Sequence, residues 1–254
     1  MTINNQYVRS VGLKREAVDS FEVYPFCLPV VQHLETLALH PGVTFFVGEN
    51  GTGKSTLLEA MAVALGMNAE GGGRNFNFGT ESTHSPLHEV MRIVRGTRRP
   101  KTDFFLRAES FYNVATMIDR HDREPWSGGR IIDSYGGVSL HQQSHGESFM
   151  ALLTNRFGGD GLYVLDEPEA ALSPTRQLSA LSHLHRLVQA GAQFIIATHS
   201  PILMAYPNAT IYALSHDAIR PIAYTDTEHY QVTRDFLNRH ESMLAVLLEE
   251  EALD

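Results

Sequence analysis

Apolar residues in this chain gather in short unbroken runs, separated by stretches with helical spacing. That pattern belongs to an α/β protein whose strands are buried on both faces. Gly42-Val43-Thr44-Phe45-Phe46-Val47, the run from Phe104 through Phe111, Gly161-Leu162-Tyr163-Val164-Leu165 and Gln193-Phe194-Ile195-Ile196-Ala197-Thr198 read as strands. Between the last two, Leu178, Leu181, Leu184, Leu187 and Val188 recur as one helix stripe, with Ser173 as cap, Pro174 at the first position and Gly191 as stop. Strand, helix, strand, helix implies right-handed crossovers and a parallel sheet. The same spacing predicts helices over 54–65, 113–118 and 148–157, a hairpin over 209–224 and a charged helix from 228 onward.

Elsewhere the pattern is weaker. Two or three short strands are expected within 9–40, with 18–23 and 27–31 the best candidates and Pro25 and Pro29 confining them to edges. Ser85 and Pro86 open a predicted helix with Leu87, Val90, Met91 and Val94 at helical spacing. It ends in Arg92, Arg95, Arg98, Arg99 and Lys101, which we read as a solvated helix end in preference to a nucleic-acid patch. The glycine-rich runs at 70–79 and 119–137 read as loops.

Composition narrows the class. The 254 residues suit one large α/β domain, taken as 1–254, and no apolar run is long enough for a membrane-spanning helix. The N-terminus lacks the basic start and apolar stretch of a signal peptide. A single cysteine, Cys27, points to a reducing, cytoplasmic setting. The net charge of −9 argues against a chain coated in nucleic acid, though not against a local basic groove.

The chemistry begins where the first buried strand meets the first helix. Gly48-Glu49-Asn50-Gly51-Thr52-Gly53-Lys54-Ser55-Thr56 fits G-x-x-x-x-G-K-[ST]. In that setting backbone N–H groups close round a triphosphate and the helix N-terminus adds positive potential. Lys54 reaches the β- and γ-phosphates, the Ser55 hydroxyl ligates Mg²⁺ and Thr56 lies near the α-phosphate. Asp166 and Glu167 leave the end of another buried strand, where open α/β sheets place ligands. Asp166 is expected to hold Mg²⁺ and Glu167 to orient and deprotonate the attacking water. His199 closes the next strand in the same way and can face the γ-phosphate. Tyr7 or Tyr24 is a candidate to stack on the base. With no N-K-x-D guanine-reading motif, ATP is the expected nucleotide.

These motifs together resemble the Walker A, Walker B, catalytic glutamate and switch histidine of the ATP-binding-cassette (ABC) ATPases. Ser144-His145-Gly146-Glu147-Ser148 looks like a variant of that family's L-S-G-G-Q signature. The resemblance implies a P-loop NTPase: a mostly parallel sheet flanked by helices, an antiparallel N-terminal sheet and a short helical and loop lobe over 111–158. It further implies a head-to-tail dimer with ATP at the interface, Ser144, Gly146 and Glu147 touching the opposite nucleotide, and Ala171-Leu172-Ser173 crossing between protomers. The family's Q-loop glutamine is missing; Glu109 or Ser110 stands near its place. The lobe is short for a transporter, so the chain looks more like the soluble chromosome-maintenance and repair branch, working with an effector protein or DNA. An ATP-binding subunit of a membrane transporter is the alternative.

Overall fold

Nine strands form among the described residues, which in the computed structural model are 6–73, 85–107, 111–123 and 130–249. They are β1 (Val8–Leu13), β2 (Leu37–Ala38), β3 (Val43–Gly48), β4 (Met91–Arg95), β5 (Thr102–Arg107), β6 (Gly161–Asp166), β7 (Gln193–Ala197), β8 (Thr210–Leu214) and β9 (Ile219–Pro221). The central sheet has the order β5-β6-β7-β3-β8-β9 and is parallel except for β9, the antiparallel edge. A second sheet, β2-β1-β4, is wholly antiparallel.

The helices are α1 (Pro29–Gln32), α2 (Lys54–Leu65), α3 (Phe111–His121), α4 (His145–Ala151), α5 (Pro174–Gln189), α6 (Pro201–Met204) and α7 (Glu228–Glu249). Alternation along β3 builds two cores at once. Val43, Phe45 and Val47 join Phe149 of α4 and Leu184 of α5 on one face. Phe46 joins Leu57, Leu58 and Met61 of α2, with Val8 and Val11 of β1, on the other. Strands buried on both faces end in a row of loops, and those loops carry the polar residues of interest.

Gln193 ties the two sheets together. Its side chain is fully buried at the start of β7. Oε1 accepts the backbone N–H groups of Tyr7 and Val8, both at 3.0 Å, while Nε2 donates to the carbonyls of Val8 and His40 at 2.8 and 3.0 Å.

Several expectations need correction. Residues 18–23 and 27–31 form turns and α1, with Pro29 at the first helical position instead of on a strand edge. Ser85 does cap a turn, accepting from Leu87 N at 3.2 Å, but only a 3₁₀ turn over Pro86–Val90 follows. At Met91 the chain becomes extended and pairs with β1 from Leu13↔Met91 to Val8↔Arg95. A helix so short is marginal, whereas β1 offers a ladder of partners. The basic residues therefore sit on and after a strand: Arg92 pairs with Glu16, and Arg98 and Lys101 with Asp160. Leu178 faces solvent, leaving Ala180 and Leu184 as the buried residues of α5. The helix expected over 148–157 starts at His145 and passes into a π-turn at Leu152–Arg156. Glu109, Ser110 and the loop residues 74–79 and 125–129 lie outside the described residues. Among those described, no helix is long and apolar enough to cross a membrane.

Candidate nucleotide-binding site

The phosphate loop joins β3 to α2 by backbone shapes that only its glycines fit easily. Gly53 caps α2 with φ of 96°, in the left-handed region, where a Cβ would also lie 2.6 Å from Val30 Cγ1. At Gly48 a Cβ would stand 2.3 Å from the Leu214 carbonyl oxygen, because β3 and β8 pair up to this residue. Glu49, Asn50 and Gly51 form the exposed rim, while Thr52 is buried, its hydroxyl donating to the Glu49 carbonyl at 2.9 Å. Ser55 and Thr56 lie half-buried in the first turn of α2.

Lys54 is buried, and its ammonium turns back under the loop to donate to the carbonyls of Gly48 and Glu49 at 2.8 and 2.9 Å. Burial pushes its pKa down, against the pull of the Glu167, Asp166 and Glu169 carboxylates. The fold brings Ser55 and Asp166 into contact across 111 residues: Ser55 Oγ donates to Asp166 Oδ1 at 3.1 Å. Asp166 is buried at the end of β6, and desolvation raises its pKa to about 6 despite the bond from Ser55.

Glu167 follows in a left-handed conformation, φ 50° and ψ 52°, costly for a residue with a side chain. Its N–H donates to the Ala197 carbonyl at 2.9 Å, extending the β6–β7 pairing and holding that shape. The half-exposed carboxylate lies 3.5 Å from His199 Nε2. His199 follows β7; desolvation, then the charge of Lys54, lowers its pKa. The sequence motifs thus converge: Lys54, Ser55, Asp166, Glu167 and His199 occupy one end of three adjacent strands.

Two further residues belong to this cluster. Glu169 Oε1 accepts the backbone N–H of His199 at 2.6 Å, and burial pushes its carboxyl upward. The ring of His229, in the first turn of α7, meets His199 Nδ1 through Nε2 at 2.9 Å. Glu169 had a faint signal, a third acid just after Asp166 and Glu167. His229 had none, standing 30 residues beyond its partner.

Ser144, Gly146 and Glu147 form a second cluster at the start of α4. Ser144 is the N-cap, and both its N–H and hydroxyl donate to Glu147 Oε2, at 2.9 and 2.7 Å. Arg176 of α5 donates to Ser144 Oγ and Glu147 Oε1 at 3.2 and 3.3 Å. A Cβ on Gly146 would lie 2.8 Å from the Ala171 carbonyl oxygen, so this turn packs directly on the segment after Glu167. Of the two tyrosines considered for base stacking, Tyr7 is buried beneath Arg98 and cannot receive a ring, whereas Tyr24 is exposed.

The chemistry of the cluster suits a Mg²⁺-bound triphosphate. Among the described residues, no hydrogen-bond partner reaches the buried His199 Nε2 or Glu169 Oε2, Glu167 approaching the former only to 3.5 Å. Lys54 is a desolvated cation that, among the described residues, donates to backbone oxygens. No group of three or more ligating side chains is arranged for a metal among the described residues.

Comparison with known proteins bears on the fold. A family model described as an AAA domain matches residues 21–123. A second, an AAA domain assigned to an AbiEii toxin of a Type IV TA system, matches residues 127–205. No curated protein matches the chain. Among solved structures, one assigned as a metal-chelate type ABC transporter in an inward-facing conformation is similar at 14% identity and a TM-score of 0.50. That alignment covers 90% of this chain and 88% of the other. An SMC head domain from Thermotoga maritima aligns over 85% of this chain and 99% of its own, at 17% identity and a TM-score of 0.43. A dimeric bacterial ABC transporter cassette aligns over 74% and 88%, at 15% identity and a TM-score of 0.44. The chain is a P-loop ATPase with the fold of the ABC cassettes.

Proposed function

We propose that this ATPase binds ATP with Mg²⁺ on residues 49–56, hydrolyses it, and closes head-to-tail on a second copy while ATP is bound. The contact between Ser55 and Asp166 beside a buried Lys54 carries the reading, since desolvating these groups together is costly and a phosphate with its cation would offset that cost. The backbone of Glu49, Asn50, Gly51, Thr52 and Gly53 cradles the phosphates and Thr56 reaches the α-phosphate. Ser55 and Asp166 would hold Mg²⁺, which would supply positive charge against the phosphates. Lys54 supports the γ-phosphate, Glu167 takes the proton of the attacking water, and His199 donates to the γ-phosphate.

At the opposite protomer's nucleotide, Ser144 and Gly146 would offer the start of α4. In this structure the Glu147 carboxylate covers that place, and two anions cannot share one helix N-terminus. Dimer closure therefore requires Glu147 to leave Ser144 and turn toward Arg176, keeping only its N–H on the nucleotide side. The cycle serves an effector protein or nucleic acid. The self-paired Arg92, Arg98 and Lys101 favour the protein partner.

Light scattering of the wild type and Glu167→Gln, with and without ATP-Mg²⁺, tests this. Glu167→Gln should bind ATP, lose about 100-fold or more in turnover and double in mass only with nucleotide. A variant that hydrolyses at the wild-type rate removes Glu167 from its role. One that binds ATP yet stays monomeric removes the head-to-tail dimer.

A further inference from the structure

The two imidazoles at the end of β7 raise a question of proton placement. Burial favours the neutral form of both His199 and His229, so a single N–H lies between His199 Nδ1 and His229 Nε2. If His199 supplied it, His199 Nε2 would be a bare lone pair facing the Glu167 carboxylate at 3.5 Å, and it could not donate to a phosphate. If His229 supplies it, His199 keeps its proton on Nε2, where that proton meets a carboxylate. The second arrangement removes the repulsion between lone pairs and leaves Nε2 a donor.

We propose that His229 is a positioning residue: its Nε2–H, donated to His199 Nδ1, holds His199 in the tautomer that presents Nε2–H beside Glu167. The mounting of His229 suits that task. Thr227, buried just before α7, donates its hydroxyl to the Tyr224 carbonyl at 2.7 Å and accepts from Tyr230 N at 3.4 Å. The Tyr224 hydroxyl in turn donates to the Pro201 carbonyl at 3.0 Å, two residues past His199. With Glu169 on the His199 backbone, ring and main chain are both held, and the ring is held by α7, an element outside the motifs. This inference rests on the role of His199 given above.

The test compares kcat and ATP affinity, at saturating ATP-Mg²⁺, in the wild type, His199→Ala, His229→Phe, His229→Gln and the His199→Ala/His229→Phe double variant. Phenylalanine keeps a ring and removes the donor, whereas the glutamine amide can place an N–H where Nε2 stood. Losing an orienting partner of this kind costs about tenfold to a hundredfold. His229→Phe should lose that much in kcat with ATP affinity within about twofold. His229→Gln should recover most of it, and the double variant should be no slower than His199→Ala. Should the phenylalanine variant fail to fold, His229→Asn, whose amide stops short of His199, replaces it. If His199→Ala is slow while His229→Phe turns over like the wild type, or if glutamine is as slow as phenylalanine, the positioning role is wrong. If His199→Ala itself is unimpaired, the fault lies in the role given to His199.

Discussion

Replacing Gln193 by leucine would test what joins the antiparallel sheet to the central one. Leucine has similar bulk and no polar atoms. It leaves two N–H groups, of Tyr7 and Val8, and two carbonyls, of Val8 and His40, without the partners that Gln193 supplies at 2.8–3.0 Å. At about 1 kcal/mol for each bond, and more where an orphaned group stays dry, the loss is about 4–5 kcal/mol. Sparing the desolvation of the amide returns about 1–2 kcal/mol, so the net loss is about 3 kcal/mol. For a chain of this length that lowers the melting midpoint by about 6–12 °C. Thermal and urea unfolding followed by circular dichroism would measure it. Gln193→Glu should be worse still, since a carboxylate oxygen would then face the Val8 and His40 carbonyls. A loss below about 1 kcal/mol for leucine would mean that β1 is held by its packing on Phe46 and α2, and that the four bonds contribute little.

His40 gives stability a pH dependence. Its Nδ1 accepts from the N–H groups of Gly42 and Val43 at 3.0 and 3.2 Å, and burial lowers its pKa below that of the unfolded chain. The contribution is therefore complete above the unfolded value, about 6.5, and is lost as pH falls through the folded one. His40→Asn keeps an acceptor that does not titrate, so the wild type should lose stability relative to this variant between pH 7 and 5; parallel melting curves would count against it. Gly48→Ala forces a Cβ to 2.3 Å from the Leu214 carbonyl and must part β3 from β8. A stability loss of about 2–4 kcal/mol, with nucleotide affinity impaired, is expected from melting and nucleotide titration; an alanine variant that binds like the wild type would contradict it.

The phosphate loop was legible because its requirements are local: a buried strand, glycines that allow left-handed turns, and a helix from Lys54 to Leu65 stopped at Gly66 with φ of 93°. Asp166, Glu167 and His199 were legible because each ends an unbroken apolar run, and parallel strands bring such ends to one edge. Met91–Arg95 was misread because five residues carry too little periodicity to separate helix from strand. Pairing with β1 decided it. The same holds at 18–31, where prolines and short runs fit a strand edge as well as a turn. Glu169 and His229 became part of the site only through contacts that span 30 residues, and Gln193 became a joint between sheets only when Tyr7 and Val8 came back to it across more than 180 residues. Motifs record what backbone shape and local chemistry demand. Where a buried polar side chain finds its partner depends on which elements pack together, and that is settled by burial over the whole chain.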